Sequence, residues 1–224
     1  MQTSDFLSGI YDIVVAITML YSLYLLFWKK YTKRQKHFYL YISTIFFVDV
    51  IGVSVFRRYL GIDQIYLYFP LFIFTIFYFC YFYLNNYRDR FNRVLLFLFA
   101  LLSLIFIIFF QIKDGSQVIS TNVLLILILY QLAITLQWFW HIVNHVDEQN
   151  IVHKQTFWVS CALLIWSTFA LFRMYPMYDL YKAKDGFLDI IIDVFQVINI
   201  ATYLLFLKGL RCTEYNILRS FNHF

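Results

Sequence analysis

The chain has 224 residues, 62% of them hydrophobic and 14% charged, with a formal charge of +5 and a mean hydropathy of +0.69. A soluble domain balances apolar and charged residues far more evenly, so a soluble globular protein is excluded. Unbroken apolar runs such as VLLFLFALLSLIFIIFF (94–110) also exclude a membrane barrel, whose strands read as alternating segments of ~10 residues.

Runs of ~20 apolar residues, each able to cross a hydrocarbon layer of ~30 Å as a helix, occur seven times. They lie at about 6–28, 38–56, 65–84, 94–112, 119–141, 156–175 and 187–208. The expected fold is all-α: one polytopic membrane domain over 1–224 with seven transmembrane helices. The first run starts without a basic leader and is followed by basic residues, which reads as a retained helix rather than a cleaved signal. Pro70 falls in the first turns of the third run, as a kink or as the true start of that helix, and Pro176 is expected to close the sixth. Gly61, Gly115 and Gly186 lie in connectors on one side, and the tail after Lys208 is too short to fold alone. Cys80, Cys161 and Cys212 are scattered and form no disulfide framework or close zinc pair.

Basic residues set the orientation. Twelve Lys and Arg lie in KKYTKRQKH, in NNYRDRFNR, at Lys154 and in the C-terminal tail, against six on the other side: Arg57, Arg58, Lys113, Arg173, Lys182 and Lys184. The positive-inside rule then places the N-terminus outside and the C-terminus in the cytoplasm. The basic first connector is best matched to anionic lipid headgroups rather than to nucleic acid.

FLDIIIDVFQVIN (187–199) carries Asp189, Asp193, Gln196 and Asn199 in a helix otherwise suited to lipid. At ~100° per residue, Asp189, Asp193, Gln196 and Tyr203 share a stripe with Asn199 on its border. That side is expected to face protein or water, because a charge at mid-bilayer costs ~2.5–3.5 kcal/mol. Asp12 in the outer part of the first span and Asp49 near the middle of the second join this acidic set, and no Lys or Arg occurs centrally in any span. Their charge must be met by protonation, by amides such as Gln131, Gln137 and Asn199, by Arg57 or Arg173, or by a bound cation. One outcome is an outward-opening acidic cavity for a cationic ligand or protons. The other is a set of helix-to-helix hydrogen bonds.

The second constellation is WFWHIVNHVDEQNIVHK (138–154). His141, His145 and Glu148 share a face, and two neutral imidazoles one turn apart chelate zinc with a carboxylate as third ligand or general base. Zinc is the cofactor this pattern would bring, and otherwise none is expected. Polar residues closing a helix at the interface are the plainer alternative. No glycine-rich phosphate loop, Ser-His-Asp order, kinase motif or central Schiff-base lysine is present.

The runs KRQKHFYLYISTIFFVDVIG, IDQIYLYFPLFIFTIFYFCYFY and KQTFWVSCALLIWSTFALF resemble the uncharacterised seven-helix integral membrane proteins of Bacteroidota, across most of the chain. Those proteins are often encoded beside sensor histidine kinases or response regulators. The resemblance implies a bacterial cytoplasmic (inner) membrane location and a small sensor or signalling accessory with such a partner. It transfers no catalytic residue, and the acidic position of that family's third span falls at Phe74 or Thr75 here. The expectation is a non-enzymatic membrane sensor or accessory with an acidic intramembrane cavity, acting through a partner. The alternatives are a structural subunit of a larger membrane complex and a metal-dependent hydrolase built on His141, His145 and Glu148.

Overall fold

The computed structural model describes residues 3–28, 36–52, 64–87, 89–114, 120–145, 150–183 and 187–221. Among them there are helices and no strands: α1 (Thr3–Phe27), α2 (Phe38–Ile45), α3 (Gln64–Leu84), α4 (Arg90–Asp114), α5 (Thr121–Asn144), α6 (Gln155–Ala183) and α7 (Phe187–Phe221), with a 3-10 turn at Ile151–His153. Six of these contain stretches long and apolar enough to cross a bilayer: Phe6–Phe27, Tyr66–Leu84, Arg90–Asp114, Thr121–Asn144, Gln155–Met174 and Ile190–Cys212. The expected second span is represented by a shorter apolar helix, Phe38–Gly52, and its remaining residues to 56 lie outside the described residues.

Two sequence expectations are corrected. Pro176 does not end α6, which continues to Ala183. Pro70 is not the start of α3; the helix begins at Gln64 and carries Pro70 within. A proline there deletes only the single bond to the carbonyl of Tyr66, which is cheap so near a helix start. Beyond Lys208, α7 runs on as helix to Phe221.

The chain forms two compact units. The first comprises 1–42 and 146–224 and holds α1, the start of α2, α6 and α7. Here α6 and α7 form an antiparallel hairpin, as pairings that run in opposite directions along the two helices record: Arg173 over Phe195, Trp166 with Asn199, and Lys208 over Trp158. Phe38 and Tyr41 of α2 meet Phe206 edge-on, with centroids 5.1 and 6.2 Å away. α1 presents a buried stripe of Val15, Thr18, Ser22 and Leu25, while Ile13, Ile17, Leu20 and Phe27 stay exposed. One narrow packing stripe and a broad exposed apolar face is how a helix divides itself between protein and lipid.

The second unit, 43–145, holds the end of α2 and α3 to α5. α4 and α5 are antiparallel: at one end Asp114 accepts hydrogen bonds from Ser120 and Asn122, and at the other Gln137 donates to the Asn92 carbonyl at 2.8 Å. Ser120 also caps α5, its hydroxyl accepting from the Asn122 backbone N–H. α4 buries Leu96, Ala100, Ser103, Ile107 and Gln111 at helical spacing and exposes Phe97, Leu101, Ile105, Phe109 and Ile112. α3 runs alongside α5, with the Tyr130 hydroxyl donating to the Ile76 carbonyl at 2.9 Å and Tyr83 against Trp138.

Five threonine hydroxyls inside the spans are satisfied locally. Thr18, Thr75, Thr135, Thr168 and Thr202 each donate to the carbonyl four residues earlier, at 2.7–2.8 Å. This removes the cost of an unpaired donor in hydrocarbon without calling on a neighbouring helix.

Candidate functional site

Asn199 is the centre of the polar stripe of α7. Its side-chain oxygen accepts from the Trp166 indole N–H at 2.9 Å, and its amide donates to Gln196 Oε1 at 3.3 Å. The exposed apolar residues Ile190, Val194, Val197 and Leu204 lie on the opposite face, and Asp193 lies on the flank between. Arg173, a sequence candidate for pairing with these acids, stacks its guanidinium 4.4 Å from the Phe195 ring centroid. Asp12 sits beside Tyr11, whose ring meets Tyr203 at 5.5 Å. Ten residues, about 15 Å of helix axis, separate Tyr203 from Asp193. Asp12 therefore lies at the level of Tyr203 along α7 rather than that of Asp193. The Asp189 side chain lies outside the described residues.

Asp49 belongs to the second unit, where residues 46–52 wind as a π-helix that continues α2. Its carboxylate is hydrogen-bonded to the Tyr68 hydroxyl of α3. A side chain added at Gly52 would meet the Phe47 carbonyl at 3.1 Å and Leu67 at 3.2 Å. A π-turn, the close approach of backbone to α3 and an intramembrane acid thus coincide, and π-turns of this kind frequently mark functional positions. Arg57, the other basic candidate, lies outside the described residues.

A basic group gathers in the first unit at the N-terminal end of α6. Lys36 donates to Thr156 Oγ1 at 3.2 Å, and Lys36 and His37 both adopt left-handed backbone, with φ of 51° and 54°. Burial, and secondarily the charge of Lys154, bring the Lys36 ammonium down to about 7. The unfolded chain, with an ordinary lysine, then binds the extra proton between pH ~7 and ~10.5, so stability rises with pH over that window and the penalty is present in full below it. Lys36→Met is expected to raise the melting temperature at pH 7 by several degrees, at ~2–4 °C per kcal/mol for a chain of this size. Melting curves of both proteins from pH 6 to 10 check this, because the gap must narrow as pH rises.

The histidine constellation lies wholly in the second unit and acquires a member that the sequence did not single out. His141 is in the last turn of α5 and His145 is its C-cap, with its backbone N–H bonded to the His141 carbonyl. Their rings stack with centroids 4.4 Å apart. The carboxylate beside them is Asp89, at the start of α4. Its Oδ2 is 3.6 Å from His141 Nδ1 and 3.2 Å from His145 Nε2. Glu148, the carboxylate expected from spacing, lies outside the described residues. His141 is buried, whereas His145 and Asp89 are partly open, with side chains 47% and 38% exposed.

A second ring of groups holds this cluster. Asn92 Nδ2 donates to Asp89 Oδ2 at 3.2 Å and lies 3.3 Å from His141 Nδ1, and Gln137 Nε2 bonds Asn92 through its carbonyl at 2.8 Å. Tyr87 packs its ring edge-on against His141 at 5.0 Å, and burial pushes its phenol up from the usual range. Tyr87 OH and Gln137 Oε1 are buried with no hydrogen-bond partner among the described residues. His37 and His153 belong to the first unit, and His223 lies outside the described residues.

The sequence matches no family model, and no curated protein or solved structure matches it.

Proposed function

We propose that the chain is a non-enzymatic integral-membrane accessory protein of seven spans, N-terminus outside and C-terminus cytoplasmic, that acts through a protein partner such as a histidine kinase or another membrane subunit. The supporting observation is the use made of Asn199: it joins Trp166 of α6 to Gln196 within α7. Polar groups in this part of the bilayer serve as contacts within and between helices. Asp49 does the same with Tyr68. This favours a packed accessory or complex subunit over a cavity that gathers Asp12, Asp189 and Asp193 around one ligand. The broad exposed apolar faces of α1 and α4 fit lipid and neighbouring subunits alike.

Two measurements test this. In native membranes the chain should cross-link and migrate as part of a hetero-complex; a wild-type chain that runs alone in mild detergent overturns the accessory role. A double-mutant cycle on Trp166→Phe and Asn199→Leu should give a coupling of ~0.6–1.7 kcal/mol, the range for hydrogen bonds between membrane helices. A coupling near zero removes the helix-contact role of the stripe.

A further inference from the structure

The geometry points to a transition-metal site at Asp89, His141 and His145, where one divalent ion of the zinc class staples the start of α4 to the end of α5. It stands apart from the accessory role, since a chain found alone in its membrane could still bind the ion.

The argument begins with which atoms carry lone pairs. His145 Nδ1 lies 3.1 Å from the His141 backbone carbonyl. A carbonyl only accepts, so Nδ1 is the protonated nitrogen and Nε2 of the neutral ring presents its lone pair toward Asp89 Oδ2. At His141 the neighbour of Nδ1 is the Asn92 amide. Gln137 Nε2, 3.5 Å from Asn92 Oδ1, fixes which end of that amide is oxygen, so Asn92 turns its N–H₂ toward His141 and Asp89. His141 Nδ1 is therefore an acceptor too. Two imidazole nitrogens and a carboxylate oxygen gather here, the three ligand atoms lying within 4.8 Å of one another.

Without a metal, a proton on His145 and the two N–H groups of the Asn92 amide meet these acceptors. A metal serves all three at once. Bonds of ~2.0–2.1 Å in a tetrahedral zinc site place neighbouring ligand atoms about 3.3 Å apart. The Asp89 oxygen lies 3.2 and 3.6 Å from its two nitrogens.

Other features agree. The His145 Nδ1–H bond to a carbonyl is the arrangement that orients a ligating imidazole, and the Gln137–Asn92–Asp89 chain does the same for the carboxylate. Imidazole with carboxylate selects zinc, cobalt or nickel over magnesium or calcium, which take oxygen ligands. Three protein ligands leave a fourth position, on the side where His145 and Asp89 are open, for water or a ligand from a partner.

The test uses the full chain in nanodiscs, treated with chelator and titrated with Co2+, then with Zn2+ in competition. The expected result is one ion per chain, visible-region Co2+ bands of tetrahedral type, displacement by Zn2+ and none by Mg2+. Asp89→Asn and His145→Gln should each weaken affinity at least tenfold, and Glu148→Gln by less than threefold. Both site residues are partly exposed, so the metal-free variants should melt like metal-free wild type, and Zn2+ should raise the melting temperature of wild type and Glu148→Gln but not of Asp89→Asn or His145→Gln. Absence of saturable Co2+ binding overturns the site and leaves an Asp89–His145 ion pair. Equal binding by Asp89→Asn, or a loss in Glu148→Gln as large as in Asp89→Asn, overturns this ligand set.

Discussion

Trp138→Ala is expected to destabilise the chain by ~3–5 kcal/mol, the range for emptying a buried aromatic site. Trp138 is 2% exposed and lies against Tyr83 and Phe139, with centroids 6.5 and 5.1 Å away. Tyr83 in turn contacts Phe79 and Phe82, all three fully buried. Within a bilayer the loss is not one of hydrophobic burial, since acyl chains are as apolar as the interior. It is a loss of packing contacts that lipid cannot refill inside the bundle. Trp140 supplies the control. It is 70% exposed, so Trp140→Ala should change stability by about 0.5 kcal/mol or less. Thermal or denaturant unfolding of both variants in the same lipid checks the contrast. Equal effects at the two tryptophans would place α5 in a different rotation. Because Trp138 precedes His141 by one helical turn, the same substitution should also loosen the placement of the histidine cluster.

Much of this fold was legible because a membrane span leaves a long apolar run, and six such runs became helices that can cross. The short second helix was less so. Periodicity does not distinguish α from π winding, and the π-turns around Asp49 are tied to a tyrosine on the next helix. Pro176 misled for a local reason: a proline removes one backbone bond and disfavours a helix, and α6 nevertheless continues past it.

The histidine pair was legible from its one-turn spacing, whereas Asp89 was not. It lies 52 residues before His141 in sequence, within a loop whose arginines drew attention to topology. The available signal was geometric. Two consecutive spans joined by a short connector are antiparallel, so the start of the fourth must lie beside the end of the fifth, and an acid that opens α4 falls next to histidines that close α5. In the stripe of α7, Asn199 was placed at the border by angle alone. It became central because Trp166 on α6 offers an indole N–H that no pattern within α7 could reveal.

Gly209→Leu is expected to be the second most damaging substitution, at ~2–3 kcal/mol, through overpacking at the α6–α7 crossing. A Cβ on Gly209 would lie 3.3 Å from the Gln155 carbonyl oxygen and 3.4 Å from Trp158 Cβ. The first of these is backbone and cannot swing aside, so a branched side chain must force the helices apart. Small residues let membrane helices approach to this distance, and the crossing draws on that closeness. Cys212, one turn on and 7% exposed, directs its thiol at the Val152 carbonyl at 3.5 Å. Gly209→Ala gives the finer test. Its tight contact offsets the ~1 kcal/mol that alanine gains over glycine in a helix, leaving stability within about 1 kcal/mol of wild type. Splayed helices would uncover Cys212, so maleimide labelling at that position should accelerate in Gly209→Leu and stay at the wild-type rate in Gly209→Ala. Unchanged labelling and stability in Gly209→Leu would mean that α6 and α7 do not cross at this glycine.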